Sequence, residues 1–275
     1  LDDARSLSRG AAVGGAGGEG KKVEMRMAGI VAGGRKEQDP AGVREQIGMI
    51  LDQWVQQVQS NDERAVLQSM TMLLQQGWVA SEESTERFFR IATEISIERS
   101  VAKMADPSAP TALGYVQVDS LSKLVLVLVR YYDEWRRSSS MTKSGMVSKV
   151  LGAVVKVMHT HQAERRHNFN QKPFHRLITR LLQDLLDPIG DPLVFAIADV
   201  LHSVQPRLVP GFAFSWLELA SNRMLMPKLL QAKANKGWQA FHRVLIGLFR
   251  YLEPYLRNAD LQEPIKLLYK GTLRV

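Results

Sequence analysis

Three histidines lie close enough together in the sequence to suggest a metal site. They are His159, His161 and His167, and the only carboxylate near them is Glu164. Residues two apart on a helix point in different directions, so His159 and His161 could share one ion only if the helix were broken between them. The two arginines that follow Glu164 would repel a cation. We therefore interpret the cluster as a solvated, basic helix end and expect no metal site.

A glycine-rich tract near the N-terminus contains two strings similar to phosphate-binding motifs. Residues 15–20 match a dinucleotide fingerprint, and residues 15–22 nearly match a P-loop. Both motifs need a strand that delivers the glycines and a helix N-terminus that receives the phosphate. No strand pattern precedes Gly14, and Lys22 stands where a Ser or Thr must contact magnesium. We expect no nucleotide cofactor.

The sequence also lacks the residue patterns that supply a nucleophile or an acid–base pair in hydrolytic enzymes. The chain has no cysteine, which rules out disulfides and a thiol nucleophile, and it has no Gly-x-Ser-x-Gly elbow. Glu82 and Glu83 are adjacent, and adjacent side chains diverge on a helix. Stabilisation of the helix dipole in a first turn explains them better than catalysis does. The sequence therefore predicts a protein without a catalytic centre.

The net charge of +8 is concentrated in one basic segment. Residues 130–180 hold eleven Lys or Arg residues and three acidic residues, and this excess equals the net charge of the whole chain. An electrostatic partner, either an acidic peptide or RNA, is expected to meet the protein there. A simple solvated face is the alternative. The residues that we expect to contact the partner are Arg165, Arg166, Lys172, Arg176 and Arg180.

The first forty residues differ in composition from the rest of the chain. Residues 1–40 contain nine of the twenty glycines and no aromatic residue. Ordering such a segment costs backbone entropy that little apolar burial could offset. We predict a disordered glycine-rich linker over residues 1–40 and a helical scaffold domain over residues 42–275.

From Val43 onwards, apolar residues recur three and four positions apart, which is typical of amphipathic helices. Ser60 with Glu63 predicts a capping box, and Gly77 predicts a helix end. Pro227 lies inside an apolar pattern at about residues 212–231 and is expected to kink or end that helix.

One short apolar run could form either a strand or a helix. Residues 124–129 alternate valine with leucine, as buried strands do. Because nothing nearby supplies a partner strand, we predict a helix that is buried on most sides. No apolar run approaches the roughly 18 residues that a membrane span needs.

The helices predict an all-α fold. Polar, serine-rich residues 136–145 indicate a loop between two helical parts. Helix pairs recur at intervals of roughly 40 to 50 residues, which is the spacing of HEAT-like repeats. We therefore predict an irregular HEAT-like array of about ten helices with no sheet.

Aromatic residues in the second half of the chain could stack on RNA bases or fill a core. They fall at helical spacing among leucines and methionines, which favours the core. The residues concerned are Phe212, Phe214, Trp216, Trp238, Phe241, Phe249, Tyr251 and Tyr255.

Several blocks of sequence carry a family resemblance. They are PGFAFSWLEL (210–219), SNR (221–223), KGW (236–238), LFRYLEPYLRN (248–258), LYKGTLRV (268–275), and upstream TERFFRIATEI (85–95) with His175-Arg176. In these blocks, and over about residues 45–275, the chain resembles the C-terminal homology domain of the large scaffold subunit of the CCR–NOT mRNA deadenylase complex. The domain of that family continues past residues 268–275. The chain is therefore expected to be truncated at its C-terminus relative to the family, with an apolar helix face left uncovered there.

The resemblance implies a function that composition cannot supply. It implies a non-enzymatic scaffold that acts in poly(A)-tail shortening, mRNA decay and translational repression. The implied partners are the other Not-family subunits and short linear peptides of RNA-bound repressors, with no small-molecule substrate and no membrane. The implied location is the cytoplasm, including P-bodies, and also the nucleus. The alternative is a helical-repeat protein that binds RNA directly through residues 130–180.

Overall fold

The computed structural model describes residues 39–60, 62–135, 141–232, 235–259 and 261–274. One unit of the chain ends at Val43, and a second, compact unit extends over Arg44–Val275. Residues 1–38, which carry nearly all of the predicted linker, lie outside the described residues, as do residues 136–140 of the predicted loop.

The described residues form twelve α-helices and no strand, which confirms the all-α prediction. The helices are α1 (Val43–Ser60), α2 (Glu63–Gln75), α3 (Glu82–Ala105), α4 (Val116–Arg130), α5 (Tyr132–Trp135), α6 (Lys143–Arg165), α7 (Lys172–Ile189), α8 (Asp191–Ser203), α9 (Ala213–Ala220), α10 (Met226–Gln231), α11 (Lys236–Arg257) and α12 (Glu263–Thr272).

Local side-chain chemistry explains where several helices begin and end. The capping box predicted at Ser60 is wrong, because α1 continues to Ser60, whose hydroxyl donates a hydrogen bond to the Gln57 carbonyl. Asp62 caps α2 instead, and its carboxylate accepts hydrogen bonds from the backbone N–H groups of Arg64 and Ala65 at 2.9 and 3.3 Å. An Asp side chain at this position satisfies amides that the first helical turn leaves unpaired.

Two special residues end or begin helices, one as predicted and one not. Gly77 has a φ of +76° just after α2, as predicted for a left-handed helix end. Pro227 was expected to kink or end one long helix over residues 212–231. The structure contains two helices there, and Pro227 lies in the first turn of the second, α10. Proline is favoured at that position because the first-turn N–H that it lacks has no helical partner.

The core is formed where helices pack against one another, including helices that are distant in sequence. α3 packs on α4 and α6, α4 packs on α7, and α8 packs on α6, α7 and α11. On the other side of the core, the Trp54 indole of α1 donates a hydrogen bond to the Ser120 carbonyl of α4 at 2.7 Å. These contacts tie the N-terminal helices to the centre of the domain.

The helix α4 is buried over most of its length. All residues from 124 to 129 are buried within it, so the prediction of a helix buried on most sides is confirmed. The stretch Thr111–Arg130 is, by length and composition, apolar enough to cross a membrane, contrary to the expectation from the sequence. Within this stretch, 61% of the most apolar 18-residue segment is buried inside the protein, which is typical of a core helix.

Candidate docking surfaces

Of the two histidines of α6, His161 is buried and His159 is half-buried. His161 is buried and packs edge-on against Phe174, with ring centroids 5.5 Å apart. A ring nitrogen of His159, Nε2, lies 3.0 Å from the Ser203 carbonyl. Burial lowers the pKa of both histidines, because it disfavours the charged imidazolium. The interpretation as a solvated helix end is therefore wrong for His161, since α6 turns this residue toward α7. No metal-binding group of three or more His, Asp or Glu residues occurs in the described part of the chain.

Much of the basic segment is neutralised by acidic residues of neighbouring helices. Lys149 and Lys156 both pair with Glu86 of α3, and Lys156 lowers the pKa of the Glu86 carboxyl through a hydrogen bond. Arg176 binds Asp119 of α4 through two hydrogen bonds of 2.8 and 2.9 Å. The excess charge of residues 130–180 is thus partly internal, because helices distant in sequence bring carboxylates to it.

The five predicted partner-binding residues fall into two groups. Arg176 and Arg180 are half-buried and share Asp119, with Arg180 at 3.4 Å. Arg165, Arg166 and Lys172 form no ion pair with any described residue, and Arg166 and Lys172 are exposed. Arg166 ends α6 with a φ of 45°. The role of all five residues stays a prediction.

A groove between α7 and α9 brings two of these basic residues together with aromatic rings. It encloses about 390 Å³ and is lined by Tyr115, Lys172, His175, Arg176, Phe214 and Glu218, among others. The Arg176 guanidinium lies 5.3 Å from the centre of the Tyr115 ring, within cation–π range. His175 Nε2 and a Glu218 carboxylate oxygen are 3.5 Å apart. We call this site the α7–α9 groove.

The predicted core aromatics divide between the interior and the surface. Trp216 is 0% exposed, and its indole N–H donates a 2.7 Å hydrogen bond to the Leu201 carbonyl. The core prediction is wrong for Trp238, Phe249 and Phe214, which are 58%, 56% and 45% exposed. Helical spacing shows which residues share a face, but it does not show whether another element covers that face.

The exposed aromatics of α11 form part of an apolar stripe. Trp238, Leu245, Phe249 and Leu256 recur at spacings of seven, four and seven residues, which places them on one side of the helix. Leu245 is partly covered, and the other three are exposed. We call these four residues the α11 stripe. Leu267 of the neighbouring helix α12 is exposed as well, and so is Leu273, which directly follows that helix.

Comparison with known proteins shows what the C-terminal part is similar to. Residues 178–275 match the family model described as "CCR4-Not complex component, Not1". This part of the chain is similar to Not1. This match confirms the resemblance to the C-terminal homology domain, which the blocks of sequence had indicated.

Two full-length relatives extend the similarity over most of the chain. The CCR4-NOT transcription complex subunit let-711 of Caenorhabditis elegans is 29% identical over 240 residues, which cover 79% of this chain and 9% of that protein. The general negative regulator of transcription subunit 1 of Saccharomyces cerevisiae is 24% identical over 256 residues, covering 84% of this chain and 12% of that protein. The chain therefore spans only a small part of the length of these Not1 relatives.

Solved structures show the same fold. The NOT1 superfamily homology domain from Chaetomium thermophilum aligns with a TM-score of 0.74 and 24% identity, over 85% of this chain and 46% of that one. A Not1 C-terminal domain in complex with Not4 aligns with a TM-score of 0.66 and 21% identity, over 84% of this chain and 47% of that one. Both alignments extend over most of this chain.

Proposed function

We propose that this chain is a non-enzymatic docking module of a CCR4-NOT assembly. In this proposal it binds other Not-family subunits and peptides of RNA-bound regulators, and it supports poly(A)-tail shortening, mRNA decay and translational repression. It does so in the cytoplasm, including P-bodies, and in the nucleus. The family match supports the assembly, and the Not4 complex of a structural relative supports the class of partner.

The observation that carries the proposal is the α11 stripe. Exposed tryptophan and phenylalanine side chains are costly to leave in water and are enriched at protein interfaces. The stripe lies within residues 178–275, which match the Not1 family model. Its side chains recur at the spacing that a second helix needs to pack along α11. The geometry therefore favours a helical segment of another subunit as its occupant.

Co-precipitation with purified Not-family subunits, Not4 among them, tests this function. The parent chain is expected to retain at least one subunit, and the double variant Trp238→Glu with Phe249→Glu is expected to lose it. Met49→Glu is a matched control, because Met49 is 65% exposed on α1, outside residues 178–275. Circular dichroism of each variant checks that the helices persist. Failure of the parent to retain any Not subunit would contradict the proposed function.

Direct RNA binding through residues 130–180 is the second candidate function. Arg165, Arg166 and Lys172 form no ion pair with the described residues, which favours this function. The ion pairs of Lys149, Lys156 and Arg176 weaken it. Filter binding of RNA to the isolated chain across a salt series separates the two functions. A steep fall of affinity with salt would favour the RNA function, because it reports the release of counterions from phosphates.

A further inference from the structure

We propose that the α7–α9 groove binds an acidic linear peptide that inserts one aromatic side chain beside Phe214. The inference rests on the proposed docking function, because it names the site and the chemistry of one class of partner. The groove is separate from the α11 stripe, since it is formed by α7, α9 and Tyr115.

The apolar part of the groove is provided by two aromatic rings. On α9, Ala213, Ser215 and Trp216 are buried, whereas Phe214 between them is exposed. Tyr115 also lines the groove, and its ring lies beneath the Arg176 guanidinium. A partner ring inserted here would be removed from water and would meet Phe214 at stacking distance. The volume of about 390 Å³ suits one or two side chains rather than a large ligand.

The polar part of the groove is rich in hydrogen-bond donors. Lys172 has no ion-pair partner among the described residues, and the Thr179 hydroxyl is buried without a hydrogen-bond partner there. Gln171 uses its carbonyl oxygen to accept the Ser215 N–H at 3.1 Å, which leaves its amide N–H groups for a ligand. A buried donor such as the Thr179 hydroxyl normally has an acceptor. A carboxylate supplies strong acceptors, and its bond to Lys172 is charge-assisted.

The arrangement of charge favours a peptide over RNA. Arg176 keeps its charge close to Asp119, and Glu218 lies at the rim beside His175. A continuous phosphate backbone would meet these carboxylates as well as the cations, and it would gain little from one unpaired lysine. A peptide can place its few carboxylates near Lys172 and Gln171 and keep them away from Glu218. Charge complementarity is therefore local, as it is for short acidic motifs.

Fluorescence anisotropy with the whole chain tests the proposal. The probe is a fluorescein-labelled peptide pool in which a central phenylalanine is flanked by glutamates and the outer positions are randomised. Two control pools carry glutamines in place of the glutamates or alanine in place of the phenylalanine. The protein variants are Lys172→Glu and Phe214→Ser, with Arg250→Glu and Met49→Ser as matched controls that change an exposed cation of α11 and an exposed apolar side chain of α1.

We expect each groove variant to bind the acidic pool about tenfold or more weakly than the parent does, because the substitution removes an anchor or adds like-charge repulsion. The parent should bind each control pool about tenfold or more weakly than the acidic pool, because each control pool lacks one anchor. The two control variants should leave the affinity within about twofold of the parent, which is below the tenfold effect of one lost anchor. No binding of the acidic pool by the parent, or equal binding by groove variants and controls, would overturn the proposal. Displacement of the probe by polyuridylate, with the same sensitivity to Lys172→Glu, would reassign the groove to RNA. Retention of Not subunits by Lys172→Glu separates failure of the groove from failure of the docking function.

Discussion

At the scale of single residues, the same sequence pattern leads to opposite environments. Trp216 and Trp238 both occupy apolar positions of helical patterns within the family blocks. α9 presses Trp216 into the core, where its indole finds the Leu201 carbonyl. α11 presents Trp238 largely to solvent, and its ring lies beside the Phe241 ring at a centroid distance of 5.7 Å. The difference arises from which helix lies opposite each face.

Alanine substitution should separate the two tryptophans. Trp216→Ala is expected to lower the free energy of unfolding by about 3–5 kcal/mol, because it leaves a cavity and an unpaired carbonyl. Trp238→Ala should change it by no more than about 0.5 kcal/mol, since an exposed ring contributes little to folding. Urea denaturation of both variants measures these values. A large loss for Trp238→Ala would show that this ring is covered in solution.

Buried histidines make stability depend on pH. Burial lowers the pKa of His161, and Arg165 adds to this effect by repelling the imidazolium. As the pH falls, His161 of the unfolded chain therefore takes up its proton at a higher pH than His161 of the folded chain. The free energy of unfolding should consequently fall as the pH drops below about 6.5. His159 and His202, whose pKa values are lowered by burial as well, contribute in the same direction.

His161→Gln tests the contribution of one of these groups. The variant should reduce the slope of unfolding free energy against pH, between about pH 6.5 and 5, by at most about 1.4 kcal/mol per pH unit. Its stability at neutral pH serves as the reference. An unchanged slope would mean that His161 takes up its proton equally well in the folded chain.

At the scale of helices, close approach of backbones determines one junction. A Cβ built on Gly237, in the first turn of α11, would overlap the Leu229 carbonyl oxygen of α10. Glycine is therefore required by the packing of α10 on α11 rather than by its own backbone angles. This explains why the KGW block contains it and why α11 can direct Trp238 outward.

Two glycine-to-alanine substitutions should act in opposite directions. Gly237→Ala is expected to destabilise the domain by about 1–3 kcal/mol, because the backbone of α10 must move. Gly152→Ala, in the middle of α6, meets nothing within 4 Å and should stabilise by up to about 1 kcal/mol through helix propensity. Thermal melts followed by circular dichroism compare the two. Equal melting temperatures for Gly237→Ala and the parent would show that α10 gives way without cost.

At the scale of the whole molecule, folding places acidic residues of other helices next to the basic segment. Residues 130–180 carry the net charge, but α3 and α4 bring Glu86 and Asp119 against them. The cations left unpaired by the described residues include Arg165, Arg166 and Lys172. They lie at the end of α6 and the start of α7, which makes this corner the place where an acidic partner would be attracted.

Charge reversal of Arg165 and Arg166 together should weaken binding of an acidic partner at low salt and leave the fold intact. Each exposed contact contributes about 0.2–1 kcal/mol, and several acting together can change the affinity about tenfold. The loss should shrink as salt rises, because exposed charges are screened beyond about 10 Å at 0.1 M. The acidic peptide pool serves as probe, with unchanged helicity as the control. Equal low-salt affinity of the double variant and the parent would reduce this corner to a solvated surface.

The amino-acid sequence by itself determined the fold class, most helix positions and the family resemblance. These features depend on local periodicity, on start and stop residues such as Gly77 and on blocks of adjacent residues. The tertiary structure decided which apolar faces are covered and which charges are paired. It buried His161 and exposed Trp238, and it joined Arg176 to Asp119 across 57 positions of sequence. The physical reason is that burial and ion pairing depend on the helix lying opposite, and a helical pattern carries no information about its neighbour.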